Sequence, residues 1–409
     1  MFSGVSLGQN FLVDYTLGVV MSSHVPQSPV GLLQHAGAQI VLIVSGGGSE
    51  VISQLLTQGG ASKIILEALV PYARTAMTEL LGSEPRNYCT DQVARQLAVT
   101  GWQRSIKLSR EIGNNVGVAV TASLRSVNPK QGQHRIHVAT HHIQGTRTAT
   151  LLLKNNLRSR LEEEHVAALL VLDVLVGTFT TKIEYPWRRE LESLLVEGED
   201  IVREQYMAPI TWQNLFSADE LVIPIEMNVP AELHRVSART QDKLIFSGSF
   251  APLHEGHLAM ARLAEEIAER SVEWELSVCN VDKPMLDYIE VSRRAEQFKG
   301  KNLWLSRAPT FIEKIQAFPQ STFVMGADTY KRLIDLKYYG GSQEQLRIAM
   351  QTICQKARGL IVFGRVQNGT FENPEDFNVP AALREVTCFV SEREFRLDIS
   401  SSNIRANEK

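Results

Sequence analysis

The chain has 409 residues, with 42 Lys plus Arg against 45 Asp plus Glu, a formal charge of −3, and 44% hydrophobic residues. These proportions predict a folded globular protein and exclude a disordered chain, a collagen-like repeat and a disulfide scaffold. At roughly 150 residues per domain the length predicts two domains and a connector, and the near-neutral balance speaks against an electrostatic nucleic-acid binder.

In chain order, residues 1–30 read as an N-terminal extension and 31–180 as a first α/β domain. Ile40–Val44 is a continuous apolar run that ends in Ser45-Gly46-Gly47-Gly48-Ser49. Val51, Ile52, Leu55 and Leu56 then recur at helical spacing, so the pattern is strand, glycine turn, helix. Further strands are expected at Lys63–Val70, Val116–Thr121, His134–Ala139 and Thr148–Leu153, with a long helix at Leu161–Val176. His134, His137, His141 and His142 match no metal-ligand spacing; they read as a strand edge with solvated histidines, and no metal centre is expected. Residues 181–240, broken by Trp187-Arg188-Arg189-Glu190, Pro224 and Pro230, read as a partly helical connector.

The second domain, 241–409, opens with the strand Leu244–Phe246. A glycine turn at Gly248 leads to His254-Glu255-Gly256-His257, and a helix follows that carries Met260, Leu263, Ala264 and Ile267 on one face. Strands at Trp274–Cys279, Thr322–Met325, Leu360–Phe363 and Val386–Val390 alternate with helices, including one marked by Phe311, Ile312, Ile315 and Phe318. That alternation predicts a Rossmann-like, doubly wound parallel sheet, with ligands beyond the carboxyl ends of its strands. The histidine turn lies at that edge. A helix N-terminus offers free N–H groups and partial positive charge, and two imidazoles there add donors for phosphate oxygens. Near the end of the chain, Ser400, Ser401 and Ser402 precede Arg405, whose planar fork suits a phosphate.

The four cysteines, Cys89, Cys279, Cys354 and Cys388, form no CxxC pair, and reduced, buried thiols of a cytosolic protein are expected. The first basic residue is Lys63, so neither a secretory signal nor an Arg-rich transit peptide is expected. No apolar run approaches the ~18 residues of a membrane span. A cytoplasmic protein without membrane or nucleic-acid partners follows, and a homo-oligomer is left open.

Gly248-Ser249-Phe250-Ala251-Pro252-Leu253-His254-Glu255-Gly256-His257 and Ile399–Arg405 resemble the HxGH and ISSTxxR signatures of a nucleotidyltransferase superfamily. Within it the resemblance is to the nicotinate/nicotinamide mononucleotide adenylyltransferases. Gly326-Ala327-Asp328 resembles their GxD segment and Leu360–Arg365 their strand ending in Arg. Ala251 stands where Asn or Asp is usual, and Tyr338 and Tyr339 lie where a Trp is common. The resemblance implies ATP with Mg²⁺ and a mononucleotide as partners. It implies His254 and His257 as catalytic residues at the α-phosphate. It also implies nucleotide contacts from Gly248, Ser249, Phe250, Gly256, Lys283, Asp328, Arg365, Ser400, Ser401, Ser402 and Arg405. Another HxGH enzyme, such as a cytidylyltransferase, and a non-catalytic nucleotide-binding regulator are the alternatives.

Residues ~30–180 resemble the C-terminal domain of the CinA proteins, the nicotinamide-mononucleotide deamidase family. The resemblance runs through Val44-Ser45-Gly46-Gly47-Gly48, Gly60-Ala61-Ser62, Val70-Pro71-Tyr72-Ala73, Gln92-Val93-Ala94 and Val118–Thr121. It implies a CinA-like α/β sandwich and a site at Ser45, Tyr72 and Thr121. Several of the family's glycines are replaced, as in Thr121-Ala122-Ser123-Leu124-Arg125-Ser126, which favours a retained ligand-binding or dimerisation fold over an active deamidase.

Overall fold

The computed structural model describes residues 28–109, 113–127, 132–180, 184–225, 240–367, 370–397 and 404. Its N-terminal half contains α1 (Pro29–His35), β1 (Gln39–Ser45), α2 (Glu50–Leu56), β2 (Ile65–Leu69), α3 (Arg74–Leu81) and α4 (Asp91–Ser109). It continues through β3 (Asn115–Ser123), β4 (His134–His142), β5 (Gly145–Leu153), α5 (Arg160–Phe179), α6 (Pro186–Leu194) and β6 (Ile201–Met207). The strands form one sheet in the order β2-β1-β3-β4-β5-β6. β2, β1 and β3 run parallel, and β3 to β6 pair antiparallel.

Helices cover both faces, which explains why Ile40–Val44 is apolar at every position rather than at alternate ones. Ile40, Leu42 and Val44 face α1, α2, α5 and α6, whereas Val41 and Ile43 face α3 and α4. α4 lies directly on β3. A Cβ at Gly117 would fall 1.9 Å from the Ala98 carbonyl oxygen, so only glycine admits this approach. α5 starts at a capping box: Ser159 accepts the Glu162 amide and the Glu162 carboxylate accepts the Ser159 amide.

The C-terminal half contains α7 (Ile210–Ser217), β7 (Val222–Ile225), β8 (Leu244–Gly248), α8 (Glu255–Ala268), β9 (Val272–Ser277), α9 (Tyr288–Glu296), β10 (Leu303–Ser306) and α10 (Phe311–Ala317). After these come β11 (Thr322–Gly326), α11 (Ala327–Leu333), α12 (Gln343–Lys356), β12 (Gly359–Phe363), the hairpin β13 (Arg365–Gln367) and β14 (Thr370–Glu372), α13 (Ala381–Glu385) and β15 (Thr387–Val390). The main sheet runs β15-β12-β11-β8-β9-β10-β7, parallel except for the β7 edge. The chain moves outward from β8 through β9 to β10, then crosses back to β11 on the other side of β8. The point of reversal therefore lies between β8 and β11, where such sheets open a crevice for ligands.

Several expectations change. Residues 181–240 supply structure to both sheets, β6 to the first and β7 to the second. The histidines of β4 do not sit on a solvated edge. β4 is an inner strand, and His134, His137, His141 and His142 are all buried. Of the cysteines, Cys89, Cys279 and Cys354 are half-buried and Cys388 is exposed, all as free thiols. On α8 the buried residues are Gly256, Ala261 and Ala264, and Ile267 is exposed.

The two halves share an apolar core. Val99 and Trp102 of α4 join Trp212, Leu215 and Phe216 of α7 and Phe246, Phe250, Trp274 and Tyr288, all of the second half. His141 lies in it, stacked on Tyr288 with ring centroids 5.1 Å apart. Burial holds the His141 imidazole well below its ordinary pKa, and burial with the Arg147 charge holds His142 at about 4. Both are neutral when folded, whereas the unfolded imidazoles take up protons below about 6.5. Stability is therefore lost as pH falls from about 6.5 toward 4. The urea midpoint at pH 5 is expected below that at pH 7, and His142→Gln is expected to narrow the gap; equal midpoints in the parent chain would contradict this assignment.

Candidate functional site

β8 delivers the chain to the crevice at Gly248, and Ser249–Leu253 turns it into α8. Phe250 adopts φ +40° and buries its ring. That ring meets His257 edge-to-face, with centroids 5.1 Å apart, and packs on Trp274 and Phe298. Gly248 is required here for a steric reason rather than the tight turn the sequence suggested. A Cβ at Gly248 would stand 2.7 Å from Cζ of the Phe250 ring.

His254 is the N-cap of the 14-residue α8, with Gly256 buried in the first turn. The two imidazoles stack at 3.8 Å between centroids and 25° between planes. His254 N–H donates to His257 Nδ1 at 3.3 Å. A neutral His257 therefore carries its proton on Nε2, as a donor. Among the described residues, Nδ1 of His254 is buried without a hydrogen-bond partner. Burial lowers the pKa of His254, and burial together with the His254 charge lowers His257 to about 4. At neutral pH the pair is uncharged, beside the open N–H groups of a helix terminus.

The same sheet edge holds other expected residues. Lys283 lies in the loop after β9, in which the Asp282 amide is held by Asn280 Oδ1 at 2.9 Å and the Asp282 carboxylate accepts from Tyr338 Oη at 3.1 Å. Asp328 sits in the first turn of α11, and Gly326, not Asp328, is the N-cap. Arg365, just past β12, forms an ion pair with Asp328, so these two expected nucleotide contacts meet each other. Ser249 and Phe250 lie in the turn itself. Ser400, Ser401, Ser402 and Arg405 lie outside the described residues.

Sequence reasoning did not single out three supports of this site. Glu275 of β9 is fully buried and accepts from Ser247, from Ser306 and, at 2.8 and 2.7 Å, from Lys314 Nζ. β9 carries two carboxylates, Glu273 and Glu275, and nothing in the sequence separates the fully buried one from its half-buried neighbour. Arg294 and Gln297 grip the turn by its backbone. Arg294 donates to Ser249 O at 3.0 Å, Gln297 donates to Phe250 O at 3.3 Å, and the Leu253 amide donates to Gln297 Oε1 at 2.7 Å. On an amphipathic helix such residues look like a solvated face, and nothing in the sequence marks them.

In the N-terminal half, Ser45 and Thr121 are register partners at the carboxyl ends of β1 and β3. Ser45 Oγ donates to the Pro71 carbonyl at 3.2 Å, and a carbonyl cannot take up its proton. Thr121 Oγ1 donates to Thr90 O at 3.2 Å, and Tyr72 is 75% exposed. The turn before α2 is filled from within the chain: Glu164 of α5 accepts from Ser49 N at 2.5 Å and from Ser49 Oγ at 2.7 Å. Burial opposes this carboxylate, but the hydrogen bonds from Ser49 and Gly48 outweigh it and lower its pKa.

Residues 245–407 match the family model described as cytidylyltransferase-like, so the C-terminal half carries a nucleotidyltransferase domain of the HxGH superfamily. No curated protein matches the chain. Among solved structures, the chain is similar to a competence or damage-inducible protein from Enterobacter asburiae, at 15% identity over 38% of this chain and 100% of that chain, with a TM-score of 0.31. It is also similar to a competence-damaged protein (CinA) superfamily protein from Escherichia coli, at 16% identity over 37% of this chain and 89% of that one, with a TM-score of 0.29. A third is the competence/damage inducible protein CihA from Agrobacterium tumefaciens, at 16% identity over 38% and 98%, with a TM-score of 0.28.

Gly248→Ala is expected to drive the Phe250 ring from beneath His257. The cost is that of overpacking a core, about 1–3 kcal/mol, read as a lowered urea midpoint. An unchanged midpoint would mean that Phe250 moves aside freely.

Proposed function

We propose that the chain joins a nicotinate or nicotinamide mononucleotide to the AMP part of ATP. The observation that carries this reading is the pair of stacked, neutral imidazoles at the N-terminus of α8, set at the reversal point of the parallel sheet. Neutral imidazole N–H and helix amides together favour the oxygens of a triphosphate. A 5′-phosphate oxygen of the mononucleotide attacks the α-phosphorus. One P–O bond forms there, the α–β bridging P–O bond breaks, and pyrophosphate leaves with the electron pair. The protein's part is positioning and stabilising charge at the α-phosphate. His254 and His257 hold that phosphate, Lys283 adds positive charge from the loop after β9, and Asp328 with Arg365 borders the nucleoside. Ser400, Ser401, Ser402 and Arg405 would hold the β/γ end.

Among the described residues no group of three His, Cys, Asp or Glu is placed to hold a metal ion. Mg²⁺ enters the reading as the counter-ion that ATP brings, and no step is assigned to it. For the N-terminal half we propose a retained ligand-binding or assembly fold rather than a deamidase, because the Ser45 proton rests on a carbonyl.

The purified chain with ATP, Mg²⁺ and either mononucleotide is expected to release pyrophosphate. His257→Ala is expected to slow it about 100-fold or more, the usual cost of removing one charge-stabilising donor; an unchanged rate would remove the mechanism. A cytidylyl transfer is the second reading, favoured by the description of the matched family, and exchanging ATP for CTP in the same assay separates the two. Binding also carries a pH signature. The free imidazoles have lowered pKa values, and triphosphate charge raises them, so binding takes up protons. Affinity is expected to weaken as pH rises from about 4, where free His257 gives up its proton, toward the higher value it takes beside phosphate, with proton uptake in that window seen by calorimetry in two buffers of different ionisation enthalpy.

A further inference from the structure

α9 belongs to the nucleotidyltransferase domain, yet its first turn is built into the other half of the molecule. Arg95 of α4 is 2% exposed and its Nη1 lies 2.6 Å from Oδ2 of Asp287, which is 3% exposed and is the N-cap of α9. Beside this pair, the Tyr288 amide donates to Thr146 Oγ1 at 3.2 Å, and Tyr288 Oη donates to the Ile143 carbonyl at 2.8 Å, at the tip of the β4–β5 hairpin. Phe216 of α7 lies against the Tyr288 ring at 4.1 Å between centroids. The start of α9 thus has little freedom to move independently of α4 and the hairpin.

The other end of α9 holds the histidine turn. Arg95 Nη1 also lies 3.9 Å from Glu290, Glu290 pairs with Arg294 at 2.7 Å, and Arg294 donates to Ser249 O at 3.0 Å. Gln297 completes the grip by bonding both Phe250 O and Leu253 N. A continuous polar path therefore runs from a buried guanidinium in the N-terminal half to the backbone that presents His254.

We propose that Arg95 is a positioning residue for nucleotidyl transfer: through Asp287 and α9 it fixes the Ser249–Leu253 turn, so the N-terminal half acts as the scaffold of the other half's reaction site. The kinetic arm rests on the function proposed above; the structural arm does not. Loss of one partner would leave a buried unpaired charge and threaten folding, so the test uses the full-length double variant Arg95→Met/Asp287→Asn. Asparagine keeps the helix cap without the charge. The expected result is a kcat lower by about tenfold, with KM for both substrates within twofold. Hydrogen exchange, measured without substrate, is expected to rise about tenfold in peptides covering 249–257 together with those covering 286–297, and to stay unchanged over β11 and β12. Thr146→Val, a milder cut at the same joint, is expected to give the same pattern at smaller size. Arg104→Met, which breaks the ion pair to Glu67 of β2, is expected to leave both readouts at parent values. The proposal is overturned if exchange rises over 286–297 while 249–257 stays protected, or if Arg104→Met produces the same losses. A parent chain that releases no pyrophosphate from any triphosphate would remove the proposed function, and the exchange measurement would still decide this one.

Discussion

A guanidinium only 2% exposed must keep its carboxylate, and Arg95 keeps partners from both halves of the chain, Asp91 from the first and Asp287, with Glu290 farther off at 3.9 Å, from the second. Burial works against the charge on Arg95, but Asp287 and Asp91 outweigh it and raise its pKa; burial likewise raises the Asp287 carboxyl, and Arg95 offsets only part of that. Such a pair is weak evidence for net stability, because desolvation consumes much of its attraction. Its consequence is geometric. Neither charge can leave the other without a large penalty, so α4 and α9 are locked at one register. The shared core of Trp102, Phe216 and Tyr288 then closes around that joint.

The candidate site follows from this constraint in two steps. α9, fixed at its start, holds the turn after β8 by main-chain carbonyls and one amide. The turn in turn carries Phe250 under His257, and Gly248 exists as glycine because that ring occupies the space of its Cβ. Burial lowers both imidazole pKa values, with Phe250 packed on His257 and the His254 charge adding to the effect there, which leaves the pair neutral. The N-terminal candidate shows the opposite outcome. There the amide and hydroxyl of Ser49 are already bonded to Glu164, so the turn has been satisfied from within the chain.

Local signals were readable. β1 and its glycine turn, the long helix α5 and the β8–α8 unit all announce themselves through periodicity and turn residues within about a dozen positions. The histidines of β4 were misread for a physical reason: four polar letters in one strand suggest water, but α4, α5 and Tyr288 arrive from distant positions to bury them. α9 gave no functional signal either, because Arg294 and Gln297 are ordinary surface letters until the fold places the turn beside them.

By itself the sequence determined the class of both halves, the apolar strands and the position of the His254–His257 turn at a strand's carboxyl end, because each depends on residues close together in the chain. Only the tertiary structure decided that Asp328 and Arg365 meet, that Glu164 fills the turn before α2, and that Arg95 reaches Asp287 from the other half. Those contacts join residues tens to hundreds of positions apart, and burial, charge pairing and register across two sheets select them, none of which is written in any single stretch of sequence.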